Sequence, residues 1–145
     1  MKKDRIKKVL DLKGFTKEQM EIAVKNSKAA LEIETAELDC TVSIFDRTVA
    51  EFNGKQGSAL VDAQELDYFY NYFAYLNRQI EQQKQTVTEK ITEVELKQKA
   101  LMNAHWEKRL CEILYEKILD EKARDTLKIE QKEADFKFIS RGSRR

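Results

Sequence analysis

The chain contains no proline and only four glycines in its 145 residues, and this scarcity limits what it can fold into. Proline and glycine supply most tight turns, and a β-rich or α/β domain of this length needs many of them. The glycines leave two uninterrupted stretches, 15–53 and 58–141, which are rich in Glu, Lys, Gln, Ala and Leu. Because these residue types are strong helix formers, the sequence predicts a few very long helices.

The remaining composition excludes several classes of protein. No stretch approaches the ~18 consecutive apolar residues of a membrane-spanning helix. The N-terminus lacks the apolar run of a secretory signal, so we expect a cytoplasmic protein. A hydrophobic content of 41% is too high for simple disorder. The net charge of +1 argues against a general nucleic-acid-binding protein, so we expect no nucleic acid among the partners.

Two apolar columns repeat at intervals of seven residues, the spacing at which one stripe of a helix faces a partner helix. A single turn cluster, 53–58, separates the two columns. Long helices joined by a short turn lie antiparallel, so we predict an all-α fold in which two long helices form an antiparallel coiled-coil hairpin. The first column is Val24, Leu31, Leu38, Phe45 and Phe52, and the second is Leu66, Phe73, Ile80, Val87, Val94 and Leu101.

Local signals predict where the helices begin and end within a single coiled-coil domain, 1–145. Ser58 or Asp62 can cap the second helix, because both side chains accept hydrogen bonds from free backbone N–H groups. Thr16 to Gln19 matches a capping box, which predicts a helix start or a kink near Gly14. The predicted bounds are about 3–53 for helix 1, 53–58 for the turn, about 59–139 for helix 2 and 140–145 for a basic tail.

A turn centred near Gln56 sets the pairing of the two helices. Each residue should then face the residue whose number is about 112 minus its own, which places Phe45 near Tyr68. Helix 1 would end opposite about residue 109, so the last ~30 residues of helix 2 would lack a partner helix and need another protein. Beyond Leu101 we expect the apolar stripe to shift its phase. The residues expected to continue it are Trp106, Leu110, Leu114 and Ile118.

Charge and aromatic residues are unevenly distributed along the chain. Residues 1–28 hold nine Lys/Arg and four Asp/Glu, whereas residues 29–70 hold two and nine. The hairpin would therefore be basic where the termini lie and acidic near its turn, either as a solvated surface or as a surface for two different partners. Six aromatic residues crowd into 68–75, and those off the apolar column suit a protein-binding patch. These off-column tyrosines are Tyr68, Tyr72 and Tyr75.

The sequence lacks the residue patterns of an active site. His105 is the only histidine, and it lies six residues from Cys111, a spacing that does not put the two side chains on one helix face. The thiols of Cys40 and Cys111 are too few for a disulfide framework. We therefore predict no enzyme, no metal site and no cofactor.

Four segments together resemble one known family. They are Arg5 to Leu12, the loop Phe52 to Leu66, Tyr72 to Gln83, and Glu130 to Asp135. By the order and spacing of these individually weak motifs, the chain is similar to FliJ, the small coiled-coil protein of the bacterial flagellar type III export apparatus. The relatives of that family include the central-stalk proteins of virulence injectisomes, and the resemblance spans nearly the whole chain.

The resemblance implies a specific role. Proteins of this family form a two-helix hairpin that looks like the central stalk of rotary ATP synthases. The terminal end enters the export ATPase hexamer and promotes its assembly and activity, here through about 3–13 and 120–138. The part near the turn engages the membrane export gate protein, and the family also escorts export chaperones. The resemblance thus implies a cytoplasmic protein that reaches the inner membrane only through its partners.

The family motifs carry the expected contacts onto particular residues. Four of the residues implied for gate contact lie on helix 1. For these four, a place between the helices is as good an interpretation as a gate contact, because Leu38 and Phe45 belong to the apolar column. The gate contacts implied are Tyr72, Leu76, Gln79, Gln83, Leu38, Val42, Phe45 and Val49. The ATPase contacts implied are Lys3, Arg5, Lys7, Lys8, Arg124, Lys128 and Lys132.

Two other interpretations stay open. An injectisome stalk protein would have the same physical properties and serve a different machine. A generic coiled-coil chaperone would bind unfolded clients, and we expect such a protein to expose apolar helix ends, whereas the termini here are charged. A thiol sensor using Cys40 and Cys111 is the weakest alternative, because the hairpin keeps the two residues far apart.

Overall fold

The computed structural model describes residues 2–57 and 62–142, and all but one of these residues are helical. Helix α1 spans Lys2–Gly57 and helix α2 spans Ala63–Gly142, with 56 and 80 residues respectively. The helices pack against each other, and the described part of the chain contains no strand. The predicted all-α helical hairpin is therefore confirmed.

The end of α1 differs from the predicted bound. The turn was predicted over 53–58, yet the helix continues through Gly54 to Gly57. A glycine inside a helix costs only about 1 kcal/mol relative to alanine, and packing between the helices offsets this cost. The centres of the Phe52 and Phe69 rings lie 5.2 Å apart, and the ammonium of Lys55 lies 5.5 Å from the centre of the Phe69 ring.

Asp62 provides the cap of α2. Its Oδ1 accepts a hydrogen bond from the backbone N–H of Glu65 at 2.7 Å, and its backbone oxygen accepts one from Leu66 at 3.1 Å. Of the two predicted capping residues, Asp62 is therefore the one that caps α2 in the structure. The other, Ser58, lies outside the described residues, as do 59–61 at the predicted start of helix 2 and 143–145 of the predicted basic tail. The part of that tail that is described, 140–142, is helical.

The expected break near Gly14 is absent. Helix α1 passes through this residue, and the hydroxyl of Thr16 donates a hydrogen bond back to the carbonyl oxygen of Leu12 at 3.0 Å. A threonine inside a helix commonly uses its hydroxyl in this way, whereas a cap would accept a bond from an N–H further along the chain. The capping-box interpretation was therefore wrong.

The chain divides into two compact units, and the prediction of one coiled-coil domain stays a prediction. The turn-side unit is Glu21–Ala100, and the terminal unit combines Met1–Met20 with Leu101–Arg145. Aromatic edge-to-face packing fills the turn-side unit, where the rings of Phe45 and Phe73 lie 5.6 Å apart. The buried residues of this unit are Val24, Thr48, Phe69, Leu76, Ile80 and Val94.

The terminal unit has a smaller core. Ala104 is its one buried residue among those described. An ion pair joins the two helices here, because Lys13 donates a hydrogen bond to Glu107 at 2.8 Å. This bond, together with the negative charge of Glu107, raises the pKa of Lys13 above its usual 10.5. The unit is therefore held by modest contacts rather than by a large apolar core.

The pairing of the helices is displaced by about eight residues from the prediction. Phe45 faces Phe73 in the turn-side unit, and Lys13 faces Glu107 in the terminal unit, so paired numbers add to about 120 rather than 112. The cause is the later end of α1, which moves the centre of the link from Gln56 to about residue 60. As a result, the unpaired part of α2 begins near residue 119 rather than 109.

Candidate protein-interaction surfaces

Three tyrosines form a stacked row on the outer face of α2 in the turn-side unit. Tyr68, Tyr72 and Tyr75 follow one another at helical spacing, so their side chains lie on one face. The rings of Tyr68 and Tyr72 are 6.1 Å apart at an angle of 7°, and those of Tyr72 and Tyr75 are 6.3 Å apart at 18°. Tyr68 and Tyr75 are exposed. Tyrosines held rigidly by their neighbours in this way suit a protein-binding surface.

An open groove of about 690 Å³ lies beside this tyrosine row. Its lining includes Thr48 and Phe69, which are both buried. The hydroxyl of Thr48 is satisfied within α1, because it donates to the carbonyl oxygen of Ile44 at 2.8 Å. The groove therefore combines aromatic side chains with charged and polar ones. It is lined by Ile44, Arg47, Thr48, Glu51, Lys55, Gln64, Glu65, Tyr68, Phe69 and Tyr72.

The residues that the resemblance implies for gate binding do not share one environment. Tyr72 lines the groove, and no other member of the set does so among the residues described. Leu76 is only 3% exposed, and the ring of Phe45 packs against Phe73 between the helices. Six members are half-buried outside the groove: Leu38, Val42, Phe45, Val49, Gln79 and Gln83. The structure thus leaves Tyr72 as the member of this set best placed to touch another protein.

Gln83 carries an unusual feature within the same set. Its side-chain oxygen is buried and has no hydrogen-bond partner among the described residues. A buried polar atom without a partner is destabilising by about 1–3 kcal/mol. Gln83 is thus a polar residue on the same helix as the buried Ile80, and burial of its oxygen opposes folding at this point.

The cations implied for ATPase binding all lie in the terminal unit and point largely into solvent. Lys3 is half-buried, and the other six are exposed. None of the seven forms an ion pair within the described part of the chain, so their charges are available to another molecule. They are Lys3, Arg5, Lys7, Lys8, Arg124, Lys128 and Lys132.

The end of α2 has no partner helix among the described residues. We name residues 120–142 the overhang, and every residue of 120–139 is exposed. A shallow groove of about 420 Å³ lies along it, lined by Ile129, Lys132, Glu133, Phe136 and Lys137. The overhang therefore carries apolar surface that the described residues leave uncovered. Its exposed large apolar residues are Leu127, Ile129, Phe136, Phe138 and Ile139.

The expected phase shift beyond Leu101 was wrong. Trp106, Leu110 and Leu114 are 59%, 67% and 49% exposed, so they lie on the outer face of α2 rather than against α1. The inner face keeps the seven-residue spacing without a break. The apolar pattern did not reveal this, because less hydrophobic residues occupy the inner positions. These are Ala104, Lys108, Cys111 and Tyr115, which are buried or half-buried, and they lead on to the half-buried Ile118.

Groups capable of site chemistry are scattered among the described residues. Cys40 is exposed and Cys111 is half-buried, and both are free thiols. The ring of His105 contacts Trp106, with centroids 5.8 Å apart. No group of three or more His, Cys, Asp or Glu side chains in the described ranges could hold a metal ion. Neither described helix contains a stretch apolar enough to cross a membrane.

The sequence analysis singled out the basic charge of 140–145 but not the apolar residues beside it. The available signal is the absence of any Asp or Glu after Asp135, combined with Phe136, Phe138 and Ile139.

Comparison with known proteins identifies the family of the chain. No curated protein and no solved structure shows significant similarity to it. The family model described as flagellar FliJ protein matches residues 1–137, which is nearly the whole chain and covers α1 and all but the last five residues of α2. The chain therefore belongs to the flagellar FliJ protein family, as its motifs predicted.

Proposed function

We propose that this protein couples the export ATPase to the membrane export gate in the flagellar type III export apparatus. Membership of the family makes the chain a flagellar export component, and the family is not one of enzymes. The finer role is our proposal. In it, the terminal unit binds the ATPase hexamer and promotes its assembly, the turn-side unit binds the gate protein, and the chain also escorts export chaperones.

The observation that carries this proposal is the overhang. An isolated helix gains little stability from its own propensity, and most helical stability in proteins comes from packing. A stretch of twenty exposed residues, 120–139, therefore suits a segment that packs only in a complex. The unpaired cations Arg124, Lys128 and Lys132 lie on this stretch, and they give a partner with acidic surfaces a means of recognition.

The tyrosine row and its groove support the gate contact. Stacked and partly exposed tyrosines give a large contact area at a low cost in side-chain entropy. We assign this surface to the gate protein because Tyr72 belongs both to the groove and to the motif that the family uses there. In this proposal the protein is cytoplasmic and is held at the inner membrane by its partners. The flagellar family match favours this machine over the injectisome.

The test is a titration of the full chain into a purified export ATPase, in which hexamer formation and ATP turnover are followed. The triple variant Lys3→Gln/Lys7→Gln/Lys8→Gln removes three unpaired cations of the terminal unit, and we expect it to lower the apparent affinity about tenfold or more. Lys84→Gln/Lys97→Gln/Lys99→Gln is the matched control, because it removes three exposed lysines from the turn-side unit. If the wild-type chain changes neither hexamer formation nor turnover, the coupling role is wrong.

One observation favours a second function, that of a client-binding chaperone. We expected such a protein to expose apolar helix ends, and the end of α2 exposes Phe136, Phe138 and Ile139. A chaperone of this kind suppresses aggregation of an unfolded client without any ATPase present. The test uses an unrelated protein that unfolds and aggregates when its disulfide bonds are reduced. Light scattering from this client, with and without the chain, separates the chaperone function from the coupling role.

A further inference from the structure

The last two turns of α2 combine exposed apolar side chains with a purely basic charge. Phe136, Phe138 and Ile139 are 73%, 79% and 68% exposed. Residues 136–145 hold four basic residues and no acidic one, a net charge of +4 in a chain whose total is +1. The rest of the chain is therefore net negative, and in this segment the exposed apolar side chains lie among basic charges without any acidic one.

Helix geometry separates the two kinds of side chain. Successive residues are about 100° apart around an α-helix. Phe138, Ile139 and Phe136 then span an arc of about 160°, and the centre of this arc lies almost opposite Lys137 and Arg141. The segment is amphipathic over its own length, with an apolar face and a basic face.

The charge indicates which surface this segment suits. An amphipathic helix with Phe, Ile or Leu on one face and Lys or Arg on the other binds at the boundary of an anionic lipid surface. Each Lys or Arg close to such a surface is attracted by its negative potential. An unfolded protein client, in contrast, gives no reason for every charge after Asp135 to be basic.

We propose that residues 136–142 form a contact site for an anionic phospholipid membrane surface. Phe136, Phe138 and Ile139 enter the boundary between headgroups and acyl chains, and Lys137 and Arg141 lie beside lipid phosphates. This contact goes beyond the proposed function, in which only partner proteins hold the chain at the membrane. A segment of this size gives reversible attachment rather than permanent anchoring.

The test is flotation of the full chain with lipid vesicles, which separates bound from free protein. We use vesicles of phosphatidylcholine with about 30% phosphatidylglycerol, and pure phosphatidylcholine vesicles for comparison. At about 0.05 M salt we expect at least about fivefold more protein bound to the anionic vesicles, and we expect this excess to be lost at about 0.5 M salt.

Two matched pairs of variants assign the binding to the segment. Phe136→Ser/Phe138→Ser keeps every charge, and we expect it to lower binding about fivefold or more. Its control, Leu127→Ser/Ile129→Ser, removes two similarly exposed apolar residues from the same overhang and should bind within about twofold of wild type. In the same way, Lys137→Gln/Arg141→Gln should lose binding, and Lys117→Gln/Lys122→Gln should keep it. Circular dichroism checks that each variant retains its helices.

Three results would overturn the proposal. The first is equal binding to anionic and neutral vesicles, and the second is an equal loss in the control variants. The third is a chain that does not bind vesicles but suppresses client aggregation, with the suppression lost in the Phe136→Ser/Phe138→Ser variant. That result would assign the segment to a protein client. Because the vesicles contain neither ATPase nor gate protein, failure here leaves the coupling role intact. Failure of the ATPase titration likewise leaves this proposal standing.

Discussion

Tyr72 and Leu76 lie one helical turn apart on α2, yet burial gives them different roles. Leu76 is 3% exposed, whereas Tyr72 is half-buried and stacks between Tyr68 and Tyr75. The family motif implied gate contact for both residues. A side chain that is enclosed between helices acts on stability, and only an accessible one contributes directly to binding. The two positions can therefore be separated by measuring binding and stability together.

We predict that Tyr72→Ala weakens binding to the purified gate protein and changes the free energy of unfolding by less than about 1 kcal/mol. Leu76→Ala should instead lower the free energy of unfolding by about 2–4 kcal/mol, because it leaves a cavity between the helices. Urea unfolding followed by circular dichroism gives the stability, and a pull-down or calorimetric titration gives the binding. A large loss of stability in the tyrosine variant would place Tyr72 in the core instead.

Lys13 is a charged residue whose contribution to stability does not change with pH near neutrality. Its hydrogen bond to Glu107 and the negative charge of that residue raise its pKa above 10.5. A raised lysine pKa contributes stability that is fully present below the unfolded pKa and is lost only as the pH rises through the folded value. The ion pair is exposed to solvent, so dissolved salt screens it. It therefore favours the observed pairing of α1 with α2 without making that pairing sensitive to physiological pH.

At the scale of the helix, α2 carries apolar residues on two different faces. The inner face keeps a seven-residue spacing through Ala104 and Cys111, whereas Trp106 and Leu110 lie on the outer face. Hydrophobicity alone predicted that Trp106 and Leu110 would face α1, since Trp and Leu are more apolar than Ala and Cys. The terminal unit instead keeps these less apolar residues inward, together with Lys108 and Tyr115.

Substitution by aspartate distinguishes the two faces. We predict that Ala104→Asp lowers the free energy of unfolding by about 2 kcal/mol or more, because it places an unpaired charge in a buried position. Leu110→Asp is the control, and it should stay within about 0.5 kcal/mol of wild type, since its side chain is already exposed. Thermal unfolding of both variants provides the measurement. The reverse order of effects would restore the predicted phase shift beyond Leu101.

At the scale of the whole molecule, the unequal lengths of the helices determine which surface is left for partners. Helix α2 has 24 more residues than α1, and its excess lies at its C-terminal end in the terminal unit. Among the residues described, 120–139 are exposed without a break. Removal of this part should therefore affect partners far more than it affects the fold.

We predict that a chain ending at Leu119 keeps its helical hairpin and loses stimulation of the export ATPase. No side chain of 120–139 is buried, so the melting temperature should change by no more than about 4 °C. A chain ending at Gly142 is the control, because it retains all seven cations implied for ATPase binding. Circular dichroism and ATP turnover are the measurements. Undiminished stimulation by the shorter chain would remove any role of the overhang in ATPase binding.

The sequence by itself determined the helical fold class, the two seven-residue columns and the family. These features rest on local propensity and on spacing within a helix, which one chain segment expresses without reference to another. The end of α1 was less predictable, because glycines at 54 and 57 are usual turn residues, yet the helix continues through both of them while Phe52 packs on Phe69.

The tertiary structure alone decided the pairing of the helices and the residues that remain accessible. Displacing two helices by eight residues changes the partner of every side chain while leaving each helix intact, so no local pattern reports it. That displacement places Phe45 against Phe73 and moves the start of the unpaired end of α2 to near residue 119. The physical reason is that packing between helices is a non-local choice, made by the fit of both surfaces together.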